Sequence, residues 1–162
     1  MQKVISNSSP IIHLAKIGKL NLLRDYFRTI TVPGAVFQEC LAEGKNRKEV
    51  EVIKNAEWIK VLEVKDKKLV KLLQSSLDDG ESEAIALSLE IGADLILLDD
   101  SDAREKARLY GLTITGTIGI LLRAKKDKKI TSLKESLLKL RGTGFWINKS
   151  LEAKLLKASR ET

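Results

Sequence analysis

This chain carries one cysteine and one histidine, and those two scarcities narrow its chemistry at once. Cys40 cannot close an internal disulfide, and no second thiol stands near it to build a zinc site. His13 is the only imidazole, so a serine or cysteine nucleophile would have a single candidate base. No glycine-rich loop precedes Lys-Ser or Lys-Thr, and no dinucleotide fingerprint follows a strand. Aromatic residues make up only 4%. No run of about 18 apolar residues is present, so no membrane span is expected. Met1-Gln2-Lys3-Val4-Ile5 leads directly into a strand-like run, without the basic, apolar and small-residue order of a secretory signal. A cytoplasmic location is therefore expected.

What the chain does have is charge. Lys and Arg number 29 against 22 Asp and Glu, a formal net charge of +7. A basic surface attracts a polyanion such as RNA. A charge-rich surface with few Asn and Gln is also what adaptation to heat produces. The two readings are compatible, and the charge does not choose between them. At 162 residues with 43% apolar content, one domain spanning 1–162 is expected.

Strand and helix signals alternate along the chain. Residues 3–6 read as a short buried strand. Ser8 or Ser9 is placed to cap the next helix, with Pro10 in its first turn and Gly18 at its end. A second helix is expected near 19–26 and a β-branched strand over Thr29-Ile30-Thr31-Val32. Pro33-Gly34 then opens a helix whose apolar stripe is Val36, Phe37, Cys40 and Leu41. Past a polar break at 44–48 come a helix near 48–55, a strand over 58–64 and a Lys-rich helix near 66–76. The helix from Glu81 to Ile91 is stopped by Gly92, and Leu95-Ile96-Leu97-Leu98 reads as a strand buried on both faces. Helices over 101–110, 117–125, 131–140 and 149–158 follow, with a strand at 112–115 and Asn148 as a cap. The pattern is α/β, with a mainly parallel sheet covered by helices.

In such sheets ligands gather beyond the carboxyl ends of the strands. Asn7 follows the first strand, and Asp99-Asp100 follows four buried aliphatics. A carboxylate there needs partners or a cation. One helix cap, from Asp100 or Ser101, would account for one of these acids, yet Asp99, Asp100 and Asp102 are all present. Glu81 opens its helix, where the dipole favours an acid. Glu39 lies among apolar residues of its own helix. Hard divalent cations such as Mg²⁺ and Mn²⁺ take oxygen ligands of this kind.

These blocks resemble a known family. The polar residue after the first strand, the Ser-Pro-x-Ile-x-Leu-Ala-Lys-like helix, the Glu of the second main helix, Gly-Glu-x-Glu-Ala and Asp-Asp-x-x-Ala-Arg together resemble a subfamily of PIN domains. It lies near the VapC-type toxin nucleases of toxin–antitoxin pairs, and the likeness runs from about residue 3 to 158. It implies a three-layer PIN-like fold and a metal-dependent endoribonuclease. By position, the family's acidic centre falls on Asn7, Glu39, Glu81 and Asp99, with Asp100 and Asp102 as outer or auxiliary metal ligands. Glu39, Glu81 and Asp99 would be catalytic. The 99 − 81 = 18 residue interval suits a helix, a glycine turn and a strand, and selects Glu81 over Glu83. Gly116-Thr117 matches a small-residue turn near that centre. The implied cofactor is Mg²⁺ or Mn²⁺. The implied partners are RNA, a small antitoxin protein and a second copy in a homodimer, with Lys45, Arg47, Arg104 and Lys106 along the cleft rim. One departure stands out: the family pattern has Asp where this chain has Asn7. An amide oxygen still ligates, with one negative charge fewer. Two other readings follow: a domain of this fold that binds RNA or a protein without cutting, and a small-molecule or nucleotide-binding α/β domain.

Overall fold

The computed structural model describes residues 2–42 and 47–161, Arg47 by its backbone alone. Five strands form one sheet: β1 (Val4–Ser6), β2 (Ile30–Val32), β3 (Ile59–Val61), β4 (Leu95–Leu97) and β5 (Ile114–Thr115). Their order is β3-β2-β1-β4-β5, and every pairing is parallel. The flanking helices are α1 (Ser8–Lys16), α2 (Asn21–Phe27), α3 (Gly34–Ala42), α4 (Arg47–Lys54), α5 (Lys67–Leu73), α6 (Asp79–Ile91), α7 (Ser101–Leu109), α8 (Thr117–Lys126), α9 (Leu133–Gly142) and α10 (Lys149–Ala158). The architecture is the expected α/β one.

Parallel strands need crossovers, and helices laid on the sheet bury it from water. The central strands consequently read as unbroken aliphatics: Val4, Ile5, Ile96, Leu97 and Leu98 are all buried. Helix α6 is well specified by its ends. Asp78 and Glu81 form a reciprocal capping box, and Gly92 closes the helix in the left-handed conformation at φ +66°. Its buried residues, among them Ala84, Ile85 and Leu87, meet α3, α5, β1 and β4.

Several boundaries differ from the sequence pattern. The strand expected over 58–64 shrinks to Ile59–Val61, at the sheet edge, where Lys60 and Val61 face solvent. An edge strand has one neighbour, so its pairing is shorter than its β-branched run. On α3 only Val36 and Cys40 are buried, while Phe37 and Leu41 are half-covered. Neither Ser8 nor Ser9 is the cap of α1. That position belongs to Asn7, and both serines lie inside the helix with their hydroxyls committed elsewhere. Among the described residues no helix is long and apolar enough to cross a membrane.

Candidate active site

The strand order reverses between β1 and β4, so the crevice beyond their carboxyl ends is the switch point of the sheet. Asn7 sits there, its N–H donating to the Leu97 carbonyl at 3.0 Å. Its side chain makes no capping bond, is 5% exposed, and Oδ1 has no hydrogen-bond partner among the described residues. A buried acceptor left unsatisfied costs about 1–3 kcal/mol, so such atoms call for an explanation. The next two residues reach across to acids on other elements. The Ser8 hydroxyl donates to Glu39 Oε2 and the Ser9 hydroxyl to Asp99 Oδ2, each at 2.6 Å.

Asp99 is held from a second direction. The Thr117 N–H donates to its Oδ1 and the Thr117 hydroxyl to its Oδ2, both at 2.7 Å. The carboxylate thus lies at the positive end of α8. Residue 116 must be glycine for this approach, since a Cβ there would stand 2.7 Å from Asp99 Oδ1 and 2.8 Å from the Leu98 carbonyl. Asp100 caps α7 by accepting the Ala103 N–H at 3.0 Å. Asp102, in the first turn of α7, is exposed to solvent.

Glu81 is only 7% exposed. Its N–H donates to Asp78 Oδ1 at 2.8 Å, and its Oε1 accepts the Asp78 N–H at 3.2 Å. Burial drives its carboxyl up to about 7; the Asp78 N–H opposes this, while the charges of Asp78, Asp100 and Glu39 add to it. Acids on α3, α6 and the head of α7 therefore act on one small volume. Gly80 allows the closest of these approaches, because a Cβ on it would collide with the Glu39 carboxylate. Glu83 is engaged by the Ala35 N–H instead, and Glu90 by the N–H groups of Lys65 and Asp66.

Among the described residues no three His, Cys, Asp or Glu side chains stand together as a ready metal cage. The carboxylates are turned to local donors: Glu39 to Ser8, Asp99 to Ser9 and Thr117, Glu81 to its own helix start. The donor chemistry still fits a hard divalent cation. It consists of carboxylate oxygens and a buried amide oxygen, Asn7 Oδ1, that has no other partner among the described residues. His13 stands apart from this group, bonded through Nδ1 to the Thr143 hydroxyl at 2.8 Å and edge-on to the Phe145 ring. Of the rim cations, Lys45 and the Arg47 side chain lie outside the described residues. Arg104 donates to the Leu98 carbonyl at 2.9 Å, and Lys106 is half-exposed on α7.

The residues that sequence reasoning missed are the donors. Ser8 and Ser9 were legible as helix-start residues, but which acids they meet depends on partners 31 and 90 positions away. Thr117 was visible only through the Gly116-Thr117 turn, and Asp78 through its spacing of three from Glu81.

Fold and crevice together define a parallel α/β domain whose acidic side chains gather at the sheet's switch point. Its backbone is similar to that of a PilT N-terminus domain protein, SSO1118, from the hyperthermophilic archaeon Sulfolobus solfataricus P2. The match has a TM-score of 0.57 at 18% identity and covers 76% of this chain and 93% of that one. The family is given by sequence: the family model DUF3368, described as a PIN domain, matches residues 3–161, and the chain belongs to the PIN-domain family. Among curated proteins, none matches it.

Proposed function

We propose that this chain is a metal-dependent endoribonuclease. Asn7, Glu39, Glu81 and Asp99 would hold Mg²⁺ or Mn²⁺, with Asp100 beside them and Asp102 at the margin. The observation that carries this reading is the buried Oδ1 of Asn7, without a hydrogen-bond partner among the described residues. It is next to Ser8, which holds Glu39, whose charge acts in turn on Glu81 together with that of Asp100. An anionic cluster beside an unsatisfied oxygen is unfavourable alone and favourable around a cation. Such a cation lowers the pKa of bound water and stabilises charge on a phosphodiester during in-line attack.

The protein's own groups have distinct parts. Thr117 and Ser9 fix the rotamer of Asp99, and Ser8 orients Glu39. Burial and the neighbouring acids push the Glu81 carboxyl up to about 7, so a bound cation would favour its charged form. The formal charge of +7 favours a polyanionic substrate and makes its capture dependent on salt. By resemblance, the chain is the toxin of a toxin–antitoxin pair, homodimeric and cytoplasmic, with a small antitoxin protein over the crevice.

The second reading, a PIN domain that binds RNA or a protein without cutting, is favoured by Asn7 itself, which removes one charge from the cluster. Cleavage of single-stranded RNA with Mn²⁺ or Mg²⁺ separates the two. The wild type should cut, and Asp99→Ala should lower the rate on the order of 10²–10³-fold, the usual cost of losing one preorganised electrostatic group. A silent wild type beside an active Asn7→Asp would instead establish the second reading.

A further inference from the structure

The loop between α9 and α10 carries the most exposed large apolar side chain among the described residues, Trp146 at 79%. It is held outward by its neighbours. Phe145 packs its ring against His13 at 5.0 Å between centroids, at an interplanar angle of 85°, and Ile147 is buried. The loop is tied at both ends as well. Thr143 meets His13, Arg141 donates to the Ile147 carbonyl at 2.9 Å and pairs with Glu152, and Asn148 caps α10 by accepting the Leu151 N–H. Exposure of an indole on a loop anchored this way costs hydration free energy without gaining mobility.

Beside Trp146 lies an open cavity of about 530 Å³, lined among others by Arg141, Asn148 and Lys149 and by no acid. An aromatic face next to a lysine and an amide is what a single-stranded polynucleotide engages, stacking a base and pairing its phosphate with the cation. A second copy of this chain is the less favoured occupant, because it too carries a formal charge of +7. The loop also rests on the helix that starts at the acidic crevice. It leans on His13 of α1, whose first residues hold Glu39 and Asp99, and His13 lies six positions beyond Asn7, about 9 Å along the axis.

We propose that Trp146 is a stacking platform for an unpaired base of the bound strand, with Lys149 taking an adjacent phosphate. The proposal rests on the ribonuclease reading for its ligand and extends it to a surface outside the acidic crevice.

The test is tryptophan fluorescence of the full chain titrated with a single-stranded oligoribonucleotide in EDTA, where nothing is cut, and with a duplex of the same sequence. The only other tryptophan, Trp58, is partly buried, so the difference between wild type and Trp146→Phe isolates the Trp146 signal. Quenching by the single strand and little by the duplex is expected. Trp146→Ala should weaken single-strand binding about tenfold, while Trp146→Phe keeps most of it. RNA bound or cut with Trp146 unquenched and Trp146→Ala unaffected would overturn the platform and leave the nuclease reading standing. Quenching without cleavage under Mn²⁺ or Mg²⁺ would keep the platform and remove the nuclease. A fluorescence change that follows protein concentration without RNA, with a doubled mass on gel filtration, would give the surface to a second copy and overturn the proposal.

Discussion

Two carboxylates at helix starts, Glu81 and Glu161, meet opposite surroundings. Glu161 reaches the start of α9, where partial burial works against its charge but four donors outweigh it. The Leu133 N–H at 2.6 Å, the Ser132 hydroxyl at 2.9 Å, the Lys134 N–H at 3.2 Å and the Lys125 ammonium at 3.3 Å bring its carboxyl down to about 2. Glu81 has one backbone donor against burial and three neighbouring acids, and rises to about 7. One acid ties the C-terminal segment to the fold. The other sits where burial and neighbouring acids work against its charge.

The sharpest way to test that contrast is pH. The folded chain holds the Glu81 proton longer than the unfolded chain does. Its favourable contribution is therefore complete below about pH 4.5 and is lost as pH rises through about 7, at a cost of about 3 kcal/mol. The melting temperature without metal should fall across that window, Glu81→Gln should flatten the fall, and Mn²⁺ should reverse it. A flat wild-type profile would mean that Glu81 is not under this pressure. Gly116→Ala should come next, destabilising the fold by about 2 kcal/mol in denaturant titration, because the Leu98 carbonyl and the Asp99 carboxylate cannot both yield to a methyl group. Asn7→Asp should then tighten Mn²⁺ about tenfold by calorimetry while lowering the melting temperature in EDTA, since it adds charge to a crowded cluster. The smallest effect belongs to the other side of the comparison. Glu161→Gln should cost about 1 kcal/mol at pH 7, limited by its partial exposure. Its folded value lies below the ordinary 4.5, so that cost should persist above this pH and fade as pH drops toward 2.

Element order was readable because each crossover announces itself locally. Pro10 and Gly18 bracket α1, Gly92 ends α6, and the aliphatic run at 95–98 reads as a buried strand, of which Leu95–Leu97 forms β4. The acids were readable as candidates for the same reason: a charge straight after a buried strand is conspicuous in a linear string. Their partners were not. Ser9 and Asp99 are 90 residues apart, and only the parallel register of β1 with β4 sets one beside the other. The unpartnered state of Asn7 Oδ1 was likewise invisible, because it depends on what surrounds the atom in three dimensions. Edge strands were overestimated, since β-branched residues state a preference while pairing needs a neighbour.

The first strand of the chain occupies the middle of the sheet, and its second neighbour is strand four. That has a consequence for the ribosome. Asn7 emerges well before Asp99 and the Thr117 that steadies it, which follow roughly 90 and 110 residues later. At about 5–20 residues per second the interval is on the order of 5–20 seconds. Closing so long a stretch of chain must precede the β1–β4 contact, which also makes that pairing slow. Until then the acids belong to separate, unconnected segments. A chain whose fourth strand has not yet emerged therefore lacks the β1–β4 pairing that sets Ser9 beside Asp99, and gains it only once that strand is free.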